Sequence, residues 1–275
     1  MKQQVAVITG AASGIGFALA SACVQRHMHV VMVDCALDSL KKASEKLSQL
    51  SHSQVLSVVC DVTQLDDVYR VAQQTYDQFN RVDLLVNNAG INGPLVPLWE
   101  MPISQVHNVM DVNLFGVLHG IHAFLPLMLK QQHRGHIVNM ASVYGLCSGS
   151  LVGAYAMSKH AIVALSESLY FDLKRLKKPV DVSVACPSFV STPLLANSNL
   201  SPDDSLYQKM QDLIERGRSP EEVAEHILRE VENKQFYILP DKEVKDYCEK
   251  RVQGIIEQTA PAKHSLEKVM TWIAS

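Results

Sequence analysis

Val5-Ala-Val-Ile8-Thr9-Gly10-Ala-Ala-Ser13-Gly14-Ile15-Gly16 decides the fold of this chain. An apolar run, Val5 to Ile8, meets three glycines spaced G-x-x-x-G-x-G. From Phe17 to about Arg26 the apolar positions then take a helical spacing. Strand, glycine-rich turn and helix in that order form a dinucleotide-binding context. Gly10 permits the tight turn, while Gly14 and Gly16 let backbone approach a pyrophosphate and let helix pack on strand. The helix start, with Ser13 and Ile15 beside it, offers unpaired N–H groups and a positive dipole end to the phosphates.

Working outward, the next apolar run is His29 to Val33, and it ends in Asp34. A carboxylate about 20 residues beyond the glycines hydrogen-bonds a ribose 2′-hydroxyl and repels a 2′-phosphate. Cys35 follows it, and Ser13 sits in the loop, so neither position offers a cation for that phosphate. The sequence therefore predicts NAD over NADP.

Strand-like runs continue to alternate with helical patterns. Strands are expected at 4–9, 29–33, 55–59, 82–87, 136–141, 180–186 and 236–239. Helices are expected at about 15–27, 38–50, 64–79, 104–132, 153–177 and 219–233. This alternation predicts an α/β fold: one doubly wound Rossmann-type domain over 1–275, its parallel seven-stranded sheet covered by helices on both faces. Residues 241–275 read as a C-terminal helical extension, with helical stretches at 242–258 and 264–273. Ser219-Pro220-Glu-Glu222 reads as a cap with first-turn acids. Thr63 with Asp66 resembles a capping pair. Residues 191–218 read as a lid over the site.

The chemistry is written near residue 155. Tyr155 and Lys159 stand one helical turn apart in Gly153-Ala-Tyr-Ala-Met-Ser-Lys-His160, and Ser142 ends the apolar run upstream. A phenol with a reference pKa of about 10 is a poor base at neutral pH. A lysine on the same helix face favours the phenolate, and a serine hydroxyl can bond the same substrate oxygen. The trio suits moving a proton on or off an alcohol.

With 47% hydrophobic and 19% charged residues and a net charge of −3, the chain reads as a globular protein without a nucleic-acid footprint. It shows no signal-peptide pattern and no unbroken run of 18 apolar residues, so neither export nor a membrane span is expected. Six cysteines lack close spacing, and Cys35, Cys60 and Cys186 fall in or at the end of strands. They read as small buried residues in a reducing, cytoplasmic setting. His119 and His122 lack a third ligand type for a metal site.

Together these motifs resemble the short-chain dehydrogenase/reductase family in its single-domain branch. The resemblance covers nearly all of residues 1–240 and adds Asp61-Val62, Asn87-Asn88-Ala89-Gly90 and Met110-Asp-Val-Asn113 to the stretches above. It implies a catalytic tetrad of Asn113, Ser142, Tyr155 and Lys159. It places Asp61, Val62 and Asn88 at the adenosine half of NAD, Val190 and Thr192 at the nicotinamide carboxamide, and Tyr155 and Lys159 at the nicotinamide end. It further implies a homodimer or homotetramer. Pro187-Ser188 departs from the family's usual Pro-Gly. Residues expected to face the substrate are Ile91, Leu95, Val143, Leu151, Phe189, Leu194 and Leu195, which suit an apolar alcohol or ketone. Two other readings stay open: a non-catalytic NAD-binding regulatory protein, and a sugar-nucleotide epimerase or dehydratase.

Overall fold

A computed structural model of the chain describes residues 4–50, 53–198, 200–201, 203–261 and 264–274. The expected parallel sheet of seven strands is present. Its strands are β1 (Val5–Thr9), β2 (His29–Asp34), β3 (Val55–Val59), β4 (Leu84–Asn87), β5 (Gly135–Met140), β6 (Val180–Ala185) and β7 (Tyr237–Ile238). Their order is β3-β2-β1-β4-β5-β6-β7 and every pairing is parallel. The order reverses between β1 and β4. Helices crossing to either side leave a crevice there, at the carboxyl ends of the strands.

Both faces of the sheet are covered because its strands are apolar on both. In β1, Ala6 and Ile8 pack with α1 (Gly14–Gln25), α2 (Leu37–Ser48) and α8 (Pro220–Glu232). Val5 and Val7 point the other way, toward α3 (Leu65–Phe79), α5 (Gly116–Met128) and α6 (Gly153–Arg175). This is the two-residue alternation of a strand serving two cores.

Several local readings are corrected. The helix expected over 104–132 is interrupted. α4 (Ile103–Met110) gives way to a π-helical turn, Asp111–Phe115, before α5. The whole run Ile103–Met128 is long and apolar enough to cross a membrane by length and composition, which the absence of an unbroken apolar stretch concealed. Here Val109, Val117, Ile121, Phe124 and Met128 are buried inside the protein. Ser219 caps α8 as expected, accepting the Glu222 N–H at 3.2 Å. No cap forms at Thr63. Gln64 precedes α3 without a side-chain bond to the helix, and the Asp61 carboxylate instead accepts the Thr63 N–H at 2.9 Å. Within 191–218 lies a helix that was not expected, α7 (Ser205–Glu215). After β7 the chain forms α9 (Glu243–Glu257) and α10 (Ser265–Ala274). Cys60 and Cys186 are buried, but Cys35, one residue past its strand, is exposed.

One buried histidine makes the fold pH-sensitive. His136 on β5 donates from Nε2 to the Ser183 hydroxyl at 2.7 Å, and that hydroxyl donates to the Gln235 carbonyl at 2.6 Å. Burial pushes the imidazole pKa from 6.5 down to about 4. Between those values the unfolded chain binds the extra proton, so stability falls as pH falls through the window, by about 3 kcal/mol at its full extent. Denaturant unfolding from pH 4 to pH 7 should show this slope, and His136→Gln should lose about one proton's worth of it. An unchanged slope in that variant would assign the dependence to other groups.

Candidate active site

The crevice at the strand reversal is a cleft of about 510 Å³. Its floor at one end is the glycine loop. Gly10 takes φ +64°, and a side chain there would come 2.9 Å from the Ala89 backbone. Gly16 faces away from the cleft: a β-carbon on it would lie 2.0 Å from the Gly10 carbonyl, so it sets how closely α1 seats on the loop. Ser13 stands at the N-cap of α1 without a side-chain bond to the helix, and no acid occupies the first turn. The first N–H groups of α1 thus keep their capacity for an anion.

Asp34 closes this end. Its carboxylate accepts the Ala12 N–H and the Ala36 N–H, each at 3.0 Å, while still lining the cleft. It therefore braces the glycine loop as well as offering charge. Asn88 braces from the other side. Its side-chain N–H₂ donates to the Thr9 carbonyl at 2.9 Å and the Gly10 carbonyl at 3.3 Å. The Thr9 hydroxyl also accepts from Asn88 N–H at 2.9 Å and Ala89 N–H at 3.0 Å. Ser13, Gly14, Ile15, Asp61, Val62, Val190 and Thr192 line the same cleft. The glycine loop, the uncapped helix start and the Asp34 carboxylate fit a dinucleotide's phosphates and ribose.

Ser142, Tyr155 and Lys159 line the opposite end. Ser142 follows β5; its hydroxyl donates to the Pro187 carbonyl at 3.5 Å and accepts the Tyr144 N–H at 3.3 Å. Lys159 Nζ donates to the Met140 carbonyl at 2.9 Å and stands 5.4 Å from the centre of the Tyr155 ring. The pKa shifts run against the sequence expectation. Burial pushes the Tyr155 phenol up to about 12, with Ser142 offsetting only part of the rise. Burial also pushes Lys159 down to about 8. Desolvation outweighs the attraction of one group for the other.

Asn113 does not reach the cleft. It is fully buried in the π-helical turn, and its side chain is spent: Oδ1 accepts Ile91 N–H at 2.8 Å, and Nδ2 donates to the Ile91 carbonyl at 2.9 Å and the Ser158 hydroxyl at 3.0 Å. Ser158 in turn donates to the Tyr155 carbonyl at 2.7 Å. Asn113 thus joins the loop after β4 to the helix bearing Tyr155 and Lys159. His119 gives its ring Nδ1 to the Val62 carbonyl at 2.8 Å.

Of the residues expected to face a substrate, Ile91, Val143, Phe189, Leu194 and Leu195 line the cleft. Leu95 is buried in the core behind it, and Leu151 holds a left-handed φ of 64° in the loop before α6. Tyr144, Val152, Met210 and Ile214 line it unforeseen. The last two come from α7, whose Leu206, Met210, Leu213 and Ile214 spacing was a readable helix signal. Ser188, the departure from Pro-Gly, donates its N–H to the buried Asp241 carboxylate at 2.8 Å, which fastens this loop to the end of the sheet.

The chain matches the short chain dehydrogenase family over residues 4–203 and belongs to it. A Lactiplantibacillus plantarum protein described as a CLA biosynthesis dehydrogenase/reductase is 32% identical, covering 98% of this chain and 99% of that protein. A 1-deoxy-11-beta-hydroxypentalenate dehydrogenase of Streptomyces avermitilis is 40% identical over 70% of this chain and 71% of its own length. A short chain dehydrogenase/reductase from Burkholderia phymatum, solved in complex with NAD, superposes with a TM-score of 0.90 at 33% identity, covering 95% of this chain and 97% of that one.

Burying Lys159 costs stability. Because its folded pKa, about 8, lies below 10.5, the charged form is penalised at pH 7, and the penalty fades as pH rises from 8 to 10.5. Lys159→Met should therefore stabilise the protein at pH 7 by about 2 kcal/mol, after allowance for the lost bond to Met140. Thermal unfolding of both proteins at pH 7 measures this. A lower melting temperature in the variant would show that the ammonium is a net stabiliser.

Proposed function

We propose that this chain is an NAD-preferring dehydrogenase that interconverts a secondary alcohol and a ketone, with Tyr155 as general acid/base. The observation that carries this reading is the convergence of Ser142, Tyr155 and Lys159 at one end of a cleft whose other end holds the glycine loop and Asp34. The relatives described as dehydrogenases support the reaction class, and the NAD-bound neighbour supports the cofactor. The glycine loop, the start of α1 and Asp34 would hold NAD, which would supply the hydride acceptor for the alcohol carbon.

The chain's own residues handle the proton. Ser142 orients the substrate oxygen toward Tyr155, which removes the hydroxyl proton in oxidation and returns it in reduction. Deprotonated Tyr155 beside protonated Lys159 is a net-neutral buried pair, so each charge lowers the other's desolvation cost. Asn113 acts through position: it anchors Ile91 and, through Ser158, the helix turn that carries Tyr155. The substrate end is walled by Val143, Tyr144, Val152, Met210 and Ile214, which favours an uncharged apolar skeleton around the reacting carbon.

Tyr155→Phe should lose about 10²–10⁴-fold in kcat while NAD affinity stays near the parent value. Initial rates over sterols, hydroxy-acyl compounds, polyols and simple secondary alcohols, with NAD binding by fluorescence, test this. Near-normal turnover in the variant would remove Tyr155 from its role. NAD binding without turnover across the panel by the parent protein would favour the regulatory alternative.

Asp34 is expected to set the cofactor choice. Asp34→Ala should narrow the ratio of kcat/KM for NAD over NADP by about tenfold or more, since it removes the charge that repels a 2′-phosphate. Equal efficiency with both cofactors in the parent protein would refute the preference.

A further inference from the structure

The substrate end of the cleft has a backing that lies outside the family match. α10 follows residue 203, where that match ends. It is fastened to the loop that leads into α6. Glu267 accepts two hydrogen bonds from Ser150, from the backbone N–H at 2.8 Å and from the hydroxyl at 2.5 Å. Bonds to an ionised carboxylate are stronger than neutral ones. His264 adds to the joint: its Nε2 donates to the Ser148 carbonyl at 3.0 Å, and its Nδ1 accepts the Glu267 N–H at 3.2 Å.

Between Glu267 and the cleft lies Gly149. A β-carbon there would stand 3.0 Å from Glu267 Oε2 and 3.3 Å from the Tyr144 ring, so helix, loop and ring are in close succession. Tyr144 lines the cleft and meets Tyr155 edge-on, with ring centres 6.1 Å apart. Its hydroxyl is buried without a hydrogen-bond partner. The place of this ring is therefore set by what packs against it. On the other flank, Lys209 of α7 lies over the Trp272 ring of α10 at 5.3 Å. Leu266 and Met270 of α10 share a buried cluster with Tyr144, Tyr155, Met210 and Ile214. No described residue of α10 lines the cleft itself. Its influence on a substrate must pass through the residues it braces.

We propose that α10 is the specificity element of this site: Glu267, through Ser150 and Gly149, sets the position of Tyr144 and so the width left for the carbon skeleton of the alcohol. Glu267 is a positioning residue, and the inference rests on the dehydrogenase reading above.

The test is kcat and KM over secondary alcohols of graded bulk, with NAD affinity and melting temperature, for the parent protein, Glu267→Ala, Glu267→Gln and Gly149→Ala. In Glu267→Ala the ratio of kcat/KM between the bulkiest and smallest substrates should change about tenfold, chiefly through KM. NAD affinity and turnover of the smallest alcohol should stay within about twofold. Glu267→Gln keeps an acceptor for the Ser150 N–H and should restore most of the parent ratio. Gly149→Ala presses on both Glu267 and Tyr144 and should turn the ratio against bulky substrates. An unchanged ratio in both alanine variants overturns the proposal. So does a joint fall of NAD affinity, turnover on every substrate and melting temperature, which marks a merely structural joint. A parent protein that binds NAD but oxidises none of the series overturns the dehydrogenase reading, and this inference with it.

Discussion

The constraint on which the site depends is the clamp between the ends of β1 and β4. The strand order reverses there, with β2 on one side of β1 and β4 on the other. Thr9 accepts every bond here: its hydroxyl takes the Asn88 and Ala89 N–H groups, and its carbonyl takes the Asn88 side-chain amide. The clamp holds the glycine loop against the β4 loop, leaving room for Gly10 and none for a larger residue. With that width fixed, the Asp34 carboxylate and the start of α1 border one cleft with the Ser142–Tyr155–Lys159 group at its far end.

At that far end, stability and the proposed chemistry pull in opposite directions. A phenol and an ammonium are buried side by side, and burial shifts each toward its neutral form. Such a pair is a cost to stability, and the proposed proton transfer gives it a use. The surroundings hold it in place with ordinary means: the Met140 carbonyl for the ammonium, the Tyr144 ring against the phenol, and the Asn113–Ser158 bridge for the helix turn between them.

The fold was legible because its signals are local. Apolar runs of both periods, and glycines or polar residues at the strand ends, place the sheet and the residues along its carboxyl edge. Thirteen of the fifteen expected site positions line the cleft, from Gly10 to Thr192. The two exceptions, Gly16 and Asn113, act by packing and bracing, which residue spacing does not express. The substrate wall was less legible. Met210 and Ile214 reach it from a helix some fifty residues beyond Tyr155, and Tyr144 is placed by packing with α10. The balance of the Tyr155–Lys159 pair was misread because one-turn spacing reports proximity and says nothing of desolvation.

The π-helical turn at Asp111–Phe115 has a consequence for phase. Each residue of an α-helix advances about 100° around the axis, and a wider turn introduces a lag between the α-helical segments on its two sides. Upstream, Val109 packs beneath Gly93; within the turn, Asn113 grips Ile91; downstream, Gly116 abuts Val62 and Gly120 abuts Asn87. A helix wound uniformly from Ile103 would bring these partners round out of step, so the widened turn acts as a phase corrector that lets one rod serve all four neighbours.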